Sequence, residues 1–123
     1  MKDFSNIFYI LTTVVISVIG QVFIKKGLDL TGKIDLSSGV VSGYLRIFQN
    51  PLTLLGSFIY LAATLFWLYI LSKVDLSFAY PFLALSYVLI IIASRLFLGE
   101  SISSMRWAGV IVICLGVFLI SKS

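Results

Sequence analysis

The sequence predicts an all-α membrane protein, a four-transmembrane-helix bundle, and two observations carry that prediction. Mean hydropathy is +1.13, and of 123 residues 60% are hydrophobic while only 11% are charged. That is more apolar surface than a single water-soluble core of this size can hide. Four windows, 6–24, 52–71, 76–98 and 105–120, come close to the roughly 20 apolar residues that a helix needs to cross a bilayer. They are read as one domain, 1–123.

The first window follows a single Lys2 and has no small-x-small cleavage pattern, so it reads as a retained helix. Along it Tyr9, Thr13, Ser17, Gln21 and Lys25 recur every four residues with Gly20 beside them, which makes a slowly twisting polar stripe. In hydrocarbon each unsatisfied polar group costs several kcal/mol, so these side chains need partners. Two readings fit. The stripe bonds neighbouring helices with Lys25 snorkelling to the surface, or it lines a hydrated groove in which Gln21 and Lys25 meet a polar, anionic ligand.

The connection from Gly27 to Asn50 is the one long one. Leu36, Val40, Val41, Tyr44, Leu45 and Phe48 stand at helical spacing within it, which predicts a short amphipathic helix over 36–48 in the headgroup region; the alternative is a partly ordered polar loop. Asn50-Pro51 opens the second spanning helix, with proline where a missing N–H is tolerated. Gly56, Tyr60, Ala63, Thr64 and Trp67 share a side of that helix, and Tyr60 and Trp67 read either as packing and interface anchors or as substrate contacts.

A short Lys73-Val74-Asp75 turn leads into the third spanning helix, where Tyr80, Ala84, Tyr87, Ile91 and Arg95 share a side and Ser86 and Ser94 lie adjacent. Pro81 cannot donate to the Ser77 carbonyl, which predicts a kink or a loosened first turn that brings Tyr80 to a bend. Arg95 near the helix end is a candidate anion ligand, with snorkelling or pairing with Glu100 as the competing role. Gly99 closes this helix, and Ser101 to Ser104 supply capping hydroxyls for the fourth. There Gly109 and Gly116, with Val112, Ile113 and Ile120 on the same side, form a small-residue seam without polar character. It is read as a dimer contact, against packing inside the subunit.

Several chemistries have no visible groups. The chain has no His, one Cys (Cys114, an apolar filler in mid-helix) and no paired-carboxylate constellation, so neither a catalytic pair, a metal site nor a cofactor is expected. The net charge of +4 fits attraction to anionic lipid, and no basic patch interleaved with aromatics suggests nucleic acid. Lys25, Lys26, Lys33, Arg46, Arg95 and Arg106 fall on one side of the spans and Lys2, Lys73 and Lys122 on the other. That favours the long first loop in the cytoplasm and both termini outside.

SVIGQVFIKKGL at 17–28, FAYP at 78–81, LGES at 98–101 and the Gly109/Gly116 helix together resemble the drug/metabolite transporter superfamily, in its four-helix, small multidrug resistance-like branch. Where small multidrug resistance proteins carry a membrane-embedded glutamate this chain has Ser17, which can neither titrate nor pair with a cation. Their glycine-rich third-helix kink is also absent. The pattern is more similar to the flippase subunits for aminoarabinose-phosphoundecaprenol, with a VxGQ-like segment at Val18 to Gln21, AYP followed by Ser86-Tyr87, and a turn glutamate at Glu100. What this resemblance implies is transport of a polyprenyl-phosphate-linked sugar, or a similar anionic lipid, across the bacterial inner membrane, by a homodimer or with a similar partner subunit. It further implies phosphate held by Lys25 and Arg95 and sugar hydroxyls held by Ser17, Gln21, Tyr80, Ser86 and Tyr87. The alternatives are a small multidrug resistance-type exporter of metabolites or drugs, and a non-transporting accessory membrane subunit.

Overall fold

The computed structural model describes residues 2–122, with side chains over 5–122; the Lys2 side chain, which enters the charge count above, lies outside the described part. The chain is all-helical, in the order α1 (Lys2–Thr31), α2 (Val40–Phe48), α3 (Pro51–Leu71), α4 (Leu76–Leu83), α5 (Leu85–Phe97) and α6 (Ser104–Ser121). Four segments are long and apolar enough to cross a membrane: 5–31, 51–71, 76–97 and 104–121. The third is α4 and α5 in succession, interrupted at Ala84.

Local chemistry sets the helix edges. α1 runs past the predicted edge at Ile24 because nothing in the next turn breaks it: Lys25 Nζ pairs with Asp29 Oδ1 at 3.0 Å one turn on. The helix stops at Gly32, whose φ of 98° suits glycine and whose N–H donates to the Leu28 carbonyl. α2 begins at Val40, later than the predicted Leu36. A side-chain turn, in which Ser37 N–H donates to Asp35 Oδ1, and Gly39 at φ 121° occupy the intervening residues. The Asn50 side chain accepts from Leu52 N–H at 2.9 Å and caps the helix that Asn50-Pro51 opens, and Ser103 Oγ accepts from Arg106 N–H at 3.2 Å, so the serine cap expected between Ser101 and Ser104 forms.

Pro81 has no N–H to give the Ser77 carbonyl, and the break follows three residues later. Ala84 N–H donates to the Pro81 carbonyl and Tyr87 N–H to the Ala84 carbonyl, each over three residues rather than four. The carbonyl of Ser94 accepts from Leu98 and Glu100 where α5 ends, with Gly99 at φ 68° between them.

The dominant packing is α1 along α3; α1 also meets α4 and α5, whereas α6 approaches only α4 and α5. The α1–α3 contact is made by backbone. A Cβ on Gly20 would stand 2.9 Å from the Gly56 carbonyl oxygen and from the Tyr60 nitrogen, and one on Gly56 would stand 2.6 Å from the Gly20 carbonyl oxygen. About two turns further along α1, Gly27 faces Thr53, with the Thr53 nitrogen 2.6 Å from where a Cβ would be. Thr53 is fully buried and its hydroxyl has no hydrogen-bond partner among the described residues. Its oxygen lies where the Gly27 Cα–H points, the arrangement of a weak Cα–H···O contact. Below this crossing Ile10, Val14 and Val18 of α1 join Ile70, Ala79, Phe82 and Val117 in the core.

The outer surface remains apolar. The chain exposes 8242 Å², where a compact water-soluble chain of this size exposes about 6,600 Å². Leu65, Leu96, Ile111, Leu115 and Leu119 are among the large side chains turned outward, as lipid contact requires. On α2, Gly43 and Ile47 are buried while Val40, Val41, Tyr44, Leu45 and Phe48 are exposed, which fits a helix lying in the interface.

Among the described residues, no atom outside their own helix lies within 4 Å of a Cβ added at Gly109 or Gly116, so neither makes a close packing contact there. Gly→Ala in an exposed helix gains up to about 1 kcal/mol of helix propensity, whereas overpacking a close contact costs about 1–3 kcal/mol. Gly56→Ala is therefore expected to lower the thermal midpoint in detergent and Gly109→Ala to leave it equal or higher. Circular dichroism melts of the two variants check the contrast.

Candidate functional site

α1, α3 and the α4–α5 span enclose a groove of about 360 Å³. α1 contributes Thr13, Ser17 and Gln21; α3 contributes Tyr60, Ala63, Thr64 and Trp67; Tyr80, Leu83 and Ser86 come from either side of the Ala84 break. The glycine crossing brings the α3 face close enough for Tyr60 to share this space with Gln21. The interruption after Pro81 brings Tyr80 and Ser86 to one side, six residues apart across a changed helical phase.

The hydrogen-bond state of these groups divides them in two. Thr13, Ser17 and Thr64 donate their hydroxyls to carbonyls of their own helices, at Tyr9 (2.9 Å), Val14 (2.8 Å) and Tyr60 (3.0 Å), which leaves oxygen lone pairs facing the groove. The side chains of Gln21, Tyr60, Tyr80 and Ser86 line the same space and have no hydrogen-bond partner among the described residues. The Trp67 and Tyr80 rings meet edge to face at 6.2 Å and form one wall. The groove thus offers acceptors from one set, uncommitted donors from the other and an aromatic surface, with no ionisable carboxylate or amine among its lining residues.

The predicted site residues separate accordingly. Ser17, Gln21, Tyr60, Trp67, Tyr80 and Ser86 come together. Lys25 does not join them: it is half exposed, paired with Asp29, and borders a different hollow with Leu28, Gly32 and Lys33. Tyr9, at the other end of the stripe, turns to an edge contact with Tyr69 at 6.1 Å. Four-residue steps on a helix of 3.6 residues per turn drift by about 40° each, so Tyr9 and Lys25 end about 160° apart and only the middle of the stripe can face one groove. Tyr87 is exposed and outside the groove, since the phase change at Ala84 selects its neighbour Ser86. Arg95 is exposed in the last turn of α5 and forms no ion pair with Glu100. Leu83 was not a candidate in the sequence; its three-residue spacing from Tyr80 and Ser86 is the signal that marks it.

A sequence profile described as the EamA-like transporter family matches residues 4–122. The chain belongs to that family. The family lies in the drug/metabolite transporter superfamily, as the motifs above imply. Similar curated proteins are the probable 4-amino-4-deoxy-L-arabinose-phosphoundecaprenol flippase subunits ArnE of Aeromonas hydrophila (45% identical over 56 residues, 46% of this chain and 49% of the relative) and of Yersinia pestis strain Pestoides F (42% over 57 residues, 46% and 50%). The chain spans about half the length of the curated relatives it matches. No solved structure matches it.

A hydrated groove in this EamA-like protein has a direct chemical signature. In a Cys114→Ser background, Ser17→Cys and Ser86→Cys are expected to react with a water-soluble, membrane-impermeant thiol reagent at least tenfold faster than Ile111→Cys on the outer face of α6. Labelling rates in intact membranes measure this, and equal slow rates at all three positions contradict it.

Proposed function

We propose that this protein is a subunit of a flippase for a polyprenyl-phosphate-linked sugar or a similar anionic lipid, acting by alternating exposure of the polar groove without covalent chemistry. The observation that carries the reading is the convergence of the Gln21, Tyr60, Tyr80 and Ser86 side chains, all without hydrogen-bond partners among the described residues, on one groove within the membrane-spanning helices. A sugar crossing hydrocarbon must exchange its water for other partners, because each unpaired hydroxyl costs on the order of several kcal/mol there. Neutral donors and acceptors beside an aromatic wall suit a polyol, and the lack of an acidic group suits a cationic drug poorly. The name carried by the Aeromonas and Yersinia relatives supports the substrate class.

The host is the bacterial inner membrane, with both termini outside, on the cation count of the loops. The working unit is a homodimer or a pair with a similar subunit. Gly109 and Gly116 on α6, open to the outside, are the proposed contact, since small residues let helix backbones approach within lipid.

In proteoliposomes containing a lipid-linked amino sugar, Gln21→Ala and Tyr80→Phe are each expected to reduce flipping at least fivefold while the protein remains folded. Undiminished flipping by the double variant would remove the groove from the path. A double Gly109→Leu, Gly116→Leu substitution is expected to halve the particle mass by light scattering in detergent; an unchanged mass rejects that seam.

A further inference from the structure

About half a turn around α1 from the polar groove lies a second one of about 350 Å³, between α1 and α5. Val18, Val22 and Phe23 line it on one side and Ala93 and Phe97 on the other, with Lys26 as its single charged member. From Val18 to Lys26 it runs about 12 Å along the helix. The apolar run of α1 ends at Ile24, where Lys25 and Lys26 follow, which puts the membrane edge near Ile24. Lys26 therefore stands at headgroup depth, where the apolar slot opens. It is exposed and has no acidic partner among the described residues, whereas its neighbour Lys25 is already paired with Asp29.

A slot with an apolar length inside the bilayer and one unpaired ammonium at the surface matches a single hydrocarbon chain that bears its phosphate directly on the end. A diacyl phospholipid matches less well, because it brings two tails and a glycerol spacer between them and the phosphate. Building on the flippase reading above, we infer that this slot seats the polyprenyl chain of the transported lipid, with its phosphate on Lys26 rather than on Lys25 or Arg95. Bilayer lipid is as apolar as the slot, so burying the tail contributes little by itself. Selective retention depends instead on the charge-assisted contact at Lys26.

The test titrates the full chain in detergent with undecaprenyl phosphate, undecaprenol and phosphatidylglycerol, and reads bound lipid by native mass spectrometry. The wild type is expected to retain undecaprenyl phosphate at least tenfold better than either competitor. Lys26→Gln abolishes that preference, Lys25→Gln keeps it within twofold, and Ala93→Phe, which fills the slot, weakens retention. Equal retention of the phosphate and the alcohol, or a Lys26→Gln variant that binds as the wild type does, overturns the assignment. So does equal retention of phosphatidylglycerol, which marks a general anionic-lipid site, and so does an Ala93→Phe variant that changes only the oligomeric mass, which marks a subunit contact. Since the probe carries no sugar, the seat can fail while sugar flipping persists in proteoliposomes, and it can hold where flipping is absent.

Discussion

Two helices in hydrocarbon gain nothing by excluding lipid from between them, so what holds α1 to α3 is close contact of their backbones at Gly20, Gly56 and Gly27. That contact decides the geometry of everything around it. It seals Thr53 against α1, aligns Thr13, Ser17 and Gln21 with Tyr60 and Thr64, and sets the separation that the groove walls inherit. Side chains larger than hydrogen at Gly20 or Gly56 would push the two walls apart together.

The second determinant is a defect. A continuous third spanning helix would keep a single phase through Tyr80, Ala84 and Tyr87. Proline at 81 removes one donor, the bonding shortens around Ala84, and Tyr80, Leu83 and Ser86 face the groove instead. A closely packed α1–α3 pair therefore stands beside an interrupted span, and the groove lies between them.

Much of this was legible in the residues. The four spans follow from hydropathy, α3 starts at Pro51 beside Asn50 as expected, and Ser103 is one of the serines expected to cap α6. The middle of the α1 stripe and the Tyr60/Trp67 face of α3 were visible as periodic patterns. Three features were not. Gly20/Gly27 and Gly109/Gly116 have the same seven-residue spacing, yet only the first pair is packed within the chain; spacing records a small-residue face and says nothing of what lies opposite. Lys25 and Lys26 are adjacent, and their separate surroundings depend on Asp29 one turn away and on α5, which is distant in sequence. Ser86 and Tyr87 were both expected to meet the sugar, and only Ser86 lines the groove because the helix phase changes at a break whose place, three residues after Pro81, local sequence rules do not fix.

The central claim is that the groove between α1, α3 and the interrupted span receives the sugar. Trp67 lines that groove, and in a Trp107→Phe background it is the only tryptophan. The most direct measurement is its fluorescence during titration of the detergent-solubilised protein with a polyprenyl-phosphate-linked amino sugar. A saturable change that sugar-free undecaprenyl phosphate does not produce, and that Gln21→Ala removes, is the expected result. An emission spectrum that stays constant, or that responds equally to the lipid with and without its sugar, would contradict it.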